Sequence, residues 1–134
     1  MREIEFRAWD KEKKFYFHVD TMEFISGGIR VSGPGYGDGW AFVNAGFKDE
    51  IFATIILEQY TGLKDKSGRK IYEGDIVKLD TLEADVFKTR NRAIIFNPTF
   101  AQFCVDPCTS IAHWPSVEVI GTLHENPELL EAQP

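Results

Sequence analysis

Gln59-Tyr60-Thr61-Gly62-Leu63-Lys64-Asp65-Lys66-Ser67-Gly68-Arg69-Lys70-Ile71-Tyr72-Glu73-Gly74-Asp75-Ile76-Val77 is the run on which the rest of the sequence hangs. Gly62 and Gly68 each follow a polar or charged approach, and glycine reaches positive φ without a Cβ penalty. Lys64 to Lys70 has turn chemistry and almost no apolar content, which predicts an exposed basic loop. Ile71 and Tyr72 return the chain to a core. Glu73-Gly74-Asp75 predicts a second tight turn, with both carboxylates acting as turn formers. Ile76-Val77-Lys78-Leu79 is β-branched and apolar and predicts a strand. A Gly-Asp pair opening an Ile-Val strand suits the first strand of a small SH3-like barrel.

Upstream of this run, Arg2 to Trp9 alternates with the period of a half-buried strand. Ile4, Phe6 and Ala8 point one way, and Glu3, Glu5 and Arg7 the other. Asp10 to Lys14 is a charged turn, and Phe15 to Val19 is the returning strand of a hairpin. Phe15, Phe17 and Val19 share one face, whereas Tyr16 and His18 take the other. Trp9 lies on the charged face, so Trp9 and Tyr16 either form an aromatic display or, as such aromatics more often do, meet a second layer of the same protein. Thr21 to Ile25 is too short to type. Ser26-Gly27-Gly28 breaks the chain, and Ile29 to Val31 reads as a short strand. Gly33-Pro34-Gly35-Tyr36-Gly37-Asp38-Gly39 then predicts a flexible loop or lid, and its glycines invite comparison with a phosphate loop. They lack the Gly-Lys-Ser/Thr ending of a phosphate loop. Trp40 to Val43 and Ala53 to Gln59 read as strands, with a helix starting near Asp49 as a competitor for the second.

Downstream, Thr81 to Thr89 is mixed and fits a loop, a strand extension or a short helix. Arg92 to Phe96 and Phe100 to Val105 predict a hairpin about an Asn97-Pro98-Thr99 turn, with Ala101, Phe103 and Val105 on one face. Val117 to Thr122 is the final strand. Asn126 as cap, Pro127 at the first helical position and Glu128 predict a short C-terminal helix with Leu129 and Leu130 inward. Short strands with turns every eight to twelve residues or so are the pattern of a sandwich or of small barrels. The expected fold is mainly β: antiparallel small-barrel (SH3-like) or sandwich elements and a short C-terminal helix. It forms one domain over 1–134, with possible packed subdomains 1–60 and 61–134.

Composition narrows the function. The 134 residues are 43% hydrophobic, enough for a core, and 27% charged, ordinary for a globular domain. A net charge of −6 opposes passive DNA binding, which is driven by phosphate neutralisation. No window approaches the roughly 18 apolar residues of a membrane span, and the first residues have no signal-peptide core. A cytoplasmic protein with reduced cysteines is expected.

Arg7-Ala8-Trp9-Asp10, the Gln59 to Asp65 segment with Gly68, Ile71 to Val77, Val119-Ile120-Gly121-Thr122 and Glu125 to Leu130 occur in an order that resembles the YopX family of phage and prophage proteins. The similarity runs over nearly the whole chain, apart from Gly27 to Glu50 and Thr81 to Pro115. It implies a small, mostly β protein encoded by a phage or a resident prophage, and it brings no catalytic or binding residues with it.

Read as chemistry, the residues point away from catalysis. Cys104, Cys108, His113 and His124 are the one metal-like set, but Cys104 sits mid-strand and Pro107 constrains the turn. Two ordinary thiols and no metal are expected. His18, His113 and His124 stand in no nucleophile motif, so neither an enzyme nor a cofactor is expected. The candidate binding surface comprises Lys64, Lys66, Arg69, Lys70 and Tyr72, a second cluster of Lys88, Arg90 and Arg92, and the aromatics Trp9 and Tyr16. The expected activity is docking to another macromolecule, a host or phage protein or a second copy in a homo-oligomer. The alternative is a single-stranded nucleic-acid groove using Lys64 to Lys70 and Lys88 to Arg92 beside exposed Tyr60 or Tyr72.

Overall fold

The computed structural model describes residues 3–35, 39–43, 54–105, 109–110 and 116–131. Among the described residues the strands pair antiparallel, and the one helical element is a four-residue 3-10 turn. The chain folds as two compact units, Glu3–Gln59 and the residues from Tyr60 onward.

In the first unit, β1 (Phe6–Asp10) and β2 (Phe15–His18) form the expected hairpin, with Ala8 opposite Phe17 and Trp9 opposite Tyr16. Asp10 is buried, and its Oδ1 accepts the backbone N–H groups of Glu12 and Lys13 to shape the turn. The untyped segment is a strand, β3 (Thr21–Ile25), paired with β4 (Gly28–Ser32) and through it with β5 (Ala41–Phe42). Ala8, Phe17, Val31, Ala41, Val43 and Ile55 make the core, with Phe15, Met22 and Leu57 packed against it. Each fully buried aliphatic or aromatic side chain of such a set contributes about 1.5–3 kcal/mol.

Gly33 corrects the expectation of a loose glycine loop. It is buried, and a Cβ there would stand 2.0 Å from the His18 carbonyl oxygen, so this glycine is a packing contact. Gly33, Pro34 and Gly35 also line an open depression of about 350 Å³ with Asp20, Thr21 and Ser32. Tyr36 to Asp38 and the helix competitor near Asp49 lie outside the described residues.

β6 (Ile55–Lys64) pairs with β1 over Ile55 to Gln59 and continues into the second unit, where Tyr60 and Lys64 pair with Tyr72 and Lys70 of β7 (Lys70–Tyr72). A bulge between Tyr60 and Lys64 is accommodated by Gly62 at φ 91°. Next comes a long hairpin, β8 (Asp75–Glu83) with β9 (Val86–Asn97), in register from Ile76 opposite Ala93 to Glu83 opposite Val86. The mixed Thr81 to Thr89 segment is therefore strand and turn, closed by Ala84 and Asp85 at φ 52° and 63°. β10 (Gln102–Val105), β11 (Thr109–Ser110) and β12 (Glu118–Thr122) complete a five-stranded sheet in the order β11-β10-β9-β8-β12, curled into a half-barrel.

Alternation along the hairpin puts Val77 and Leu79 on the same face as Ile94. With Ile71, Val105, Val117 and Val119 they form the second core, and Phe103 packs against it. Ala101 does not share that face as expected: it sits in the β9–β10 turn at φ 50°. The C-terminal helix is the 3-10 turn Pro127–Leu130. Asn126 does not cap it, because its Oδ1 accepts the Thr122 N–H at 3.2 Å. The turn is instead held by the Asn91 side chain, which donates to the Leu129 carbonyl at 2.9 Å.

Candidate functional site

The central run proves to be a structural device. Asp65, which falls within the stretch expected to be an exposed basic loop, is buried. Its Oδ1 accepts the N–H groups of Ser67 and Arg69 at 2.9 Å each, and its Oδ2 accepts the N–H of Val119 at 3.0 Å. The Lys66 N–H donates to the Val117 carbonyl at 3.1 Å, so the β6–β7 turn lies along the outer edge of β12. Burial pushes the Asp65 carboxyl up. The three N–H donors, Val119 foremost, and the nearby Arg69 charge outweigh it and hold the group below its ordinary value. Asp75 does act as a turn former: it is fully buried and its Oδ2 accepts the Tyr72 N–H at 2.8 Å.

The basic residues of the first cluster are distributed around that turn. Lys64 and Arg69 are exposed, Lys66 pairs with Glu118 at 3.4 Å, and the Lys70 ammonium stands 5.3 Å from the Tyr60 ring centroid. Tyr60 is buried rather than displayed, and its ring packs 5.6 Å from the half-buried ring of Tyr72. Trp9 is likewise only 6% exposed, so it belongs to the interior and not to an aromatic display. Its ring lies 4.8 Å from that of Tyr16, which is half-buried beneath the Arg7 guanidinium at 4.6 Å.

Lys88, Arg90 and Arg92 share one face of β9, as a two-residue period requires. Arg90 is nonetheless withdrawn from the surface, because it grips Glu83 through two hydrogen bonds of 2.8 and 3.0 Å. These Arg90 bonds, with a further one from the Thr81 hydroxyl, lower the Glu83 carboxyl to about 2, and Glu83 in turn raises Arg90. Arg92 is half-buried and donates to the Asn91 carbonyl at 3.1 Å, which leaves Lys88 as the exposed member. Cys104 is buried on β10, while Cys108 and His113 lie outside the described residues. Among the described residues, no three His, Cys, Asp or Glu side chains are grouped to hold a metal ion. Nor is any described helix long and apolar enough to cross a membrane.

A feature without a signal in the sequence is the tip of the β8–β9 hairpin. β12 pairs with β8 from Asp75 to Lys78, and β10 pairs with β9 from Ile94 to Asn97. Beyond them the two strands continue as a ribbon. Leu82 and Phe87 are directly opposite each other, so they share a face, and they are 62% and 74% exposed. Val86, 55% exposed, points from the other face. On the Leu82 face the 3-10 turn reaches Asn91, and the Thr89 hydroxyl then bonds Asp80 at 2.8 Å, which leaves the apolar pair outermost.

A half-barrel sheet edged by a carboxylate-latched turn, with an extended apolar-tipped arm, defines a small antiparallel β protein. Residues 5–131 match the YopX protein family, and the chain belongs to that family. No curated protein matches it. Among solved structures it is similar to protein EF1440 from Enterococcus faecalis, at 22% identity and a TM-score of 0.62, over 98% of this chain and 100% of that one. That likeness extends the fold and carries no activity.

Proposed function

We propose that this YopX-family chain is a non-enzymatic accessory protein, encoded by a phage or resident prophage and acting in the cytoplasm. It works by docking to other macromolecules, proteins foremost, through the β8–β9 arm. The observation that carries this reading is the apolar tip, where Leu82 and Phe87 stand side by side on a two-stranded ribbon. Folding gains little from side chains so exposed, whereas a partner that covers them gains their full apolar area. Strand edges and alternate side chains are also the usual means by which sheets take up a partner.

Affinity capture from cells carrying the gene tests the reading, with wild type compared against Leu82→Lys. Proteins held by the wild type should be missing from the variant. Identical sets would overturn the assignment of docking to the arm.

A second reading, binding of single-stranded nucleic acid, is favoured by the exposed Lys64 and Arg69 at one turn. Labelled single strands at low salt test it, because phosphate contacts weaken as salt rises. Glu substitutions at Lys64 and Arg69 should then weaken binding, and an unchanged affinity would exclude this surface.

A further inference from the structure

We infer that the partner of the arm is a second copy of this chain, added antiparallel along the outer edge of β8 with Leu82 on the two-fold axis; this rests on the docking reading above. Three observations lead there. The arm closes through a two-residue turn, Ala84-Asp85, between Glu83 and Val86. In such a hairpin the closing pair exchanges both backbone hydrogen bonds, and the next pair exchanges none. Leu82 and Phe87 are that next pair, so the N–H and C=O of Leu82 point to the outer edge of β8, beyond the stretch that β12 covers. A two-fold at Leu82 lets the two leucines exchange both bonds.

The side chains select the same register. With Leu82 opposite its counterpart, one face of the joined four-stranded ribbon carries Phe87, Leu82, Leu82 and Phe87 in a single row. The four exposed apolar groups then cover one another. On the opposite face Glu83 stands across from Thr81 of the other copy, with Lys88 the next residue in that row, since Thr81 is opposite Lys88. The row Val86, Glu83, Thr81 and Lys88 thus holds one acid and one base separated by a threonine, and no like charges stand side by side in it. Sliding the axis to Asp80 would set two carboxylates face to face and place Leu82 against Lys78, which is unfavourable on both counts. An isologous contact of this kind closes after two copies.

The test is the mass of the intact chain by sedimentation across micromolar concentrations, with cysteine cross-linking. Wild type should pass from monomer to dimer, and Leu82→Lys, which sets two ammonium groups on the axis, should weaken the dimer at least about ten-fold. Leu82→Cys should form a disulfide joining the substituted positions of two chains, mapped by peptide mass, and Asp80→Cys should form it much more slowly. A strict monomer without cross-linking, or a dimer unmoved by Leu82→Lys, overturns the inference. If the chain is monomeric but Leu82→Lys still loses a different captured protein, self-pairing falls and the docking reading stands. If that capture is also unchanged, both fall.

Discussion

The β8–β9 hairpin is two different objects along its length. At its base Ile76, Val77, Leu79, Ala93 and Ile94 are all buried, with β12 and β10 paired on either side. A few residues further on, Leu82 and Phe87 stand mostly in solvent. The same backbone ladder runs through both regions, so hydrogen bonding within the hairpin does not distinguish them. Neighbouring strands and a covering layer do. The base is where folding free energy is gathered, and the tip is where sequence is free to serve a partner.

Substitutions should break along that line. Ile94→Ala opens a cavity in the second core and is expected to cost about 4 kcal/mol in chemical denaturation. Asp65→Ala, which leaves the N–H groups of Ser67, Arg69 and Val119 without their acceptor, is expected to cost about 3 kcal/mol by the same measurement. At the tip, Phe87→Ser should move stability by no more than about 0.5 kcal/mol. A comparable loss at Phe87 and Ile94 would erase the distinction between base and tip.

Acid titration also separates the latched turn from the arm. The Asp65 carboxyl is held below its ordinary value of 3.8 in the folded chain. Its contribution is therefore fully present above that value and is lost as pH falls through the lower, folded one. Melting temperature should stay flat near neutrality and drop below about pH 4, and Asp65→Asn should lack part of that drop. Glu83, at the exposed arm, titrates near 2 because of Arg90 and Thr81. In a carbon-13 carboxyl titration, Arg90→Gln should return its midpoint toward the ordinary 4.5 with little change in the melting curve.

How far the sequence carried is instructive residue by residue. The Phe6 and Phe15 strands, the Ile76 strand and the Asn97 turn were legible, because alternation and turn chemistry are local properties. The Asn97 side chain does accept the N–H groups of Thr99 and Phe100. A strand extension was one of three readings open for Thr81 to Thr89, and the hairpin itself was not legible because its two-residue turn is Ala84-Asp85, without the Asn-Gly or Asp-Gly signature that marks such turns. Asp65 was misread because its decisive partner, Val119, is 54 residues away. Arg90 looked like an available cation until the register brought Glu83 beside it. Trp9 and Tyr60 could not be assigned to surface or interior from alternation, since both faces of a strand can be covered.

The most direct measurement is residue-resolved amide hydrogen exchange along this hairpin at low and high protein concentration. The Val77 and Ile94 amides should exchange only through global unfolding at both concentrations. The Leu82 amide should exchange fast in dilute solution and slow as the second copy covers it. Equal protection from base to tip, indifferent to concentration, would rule out an exposed tip that pairs with a second copy.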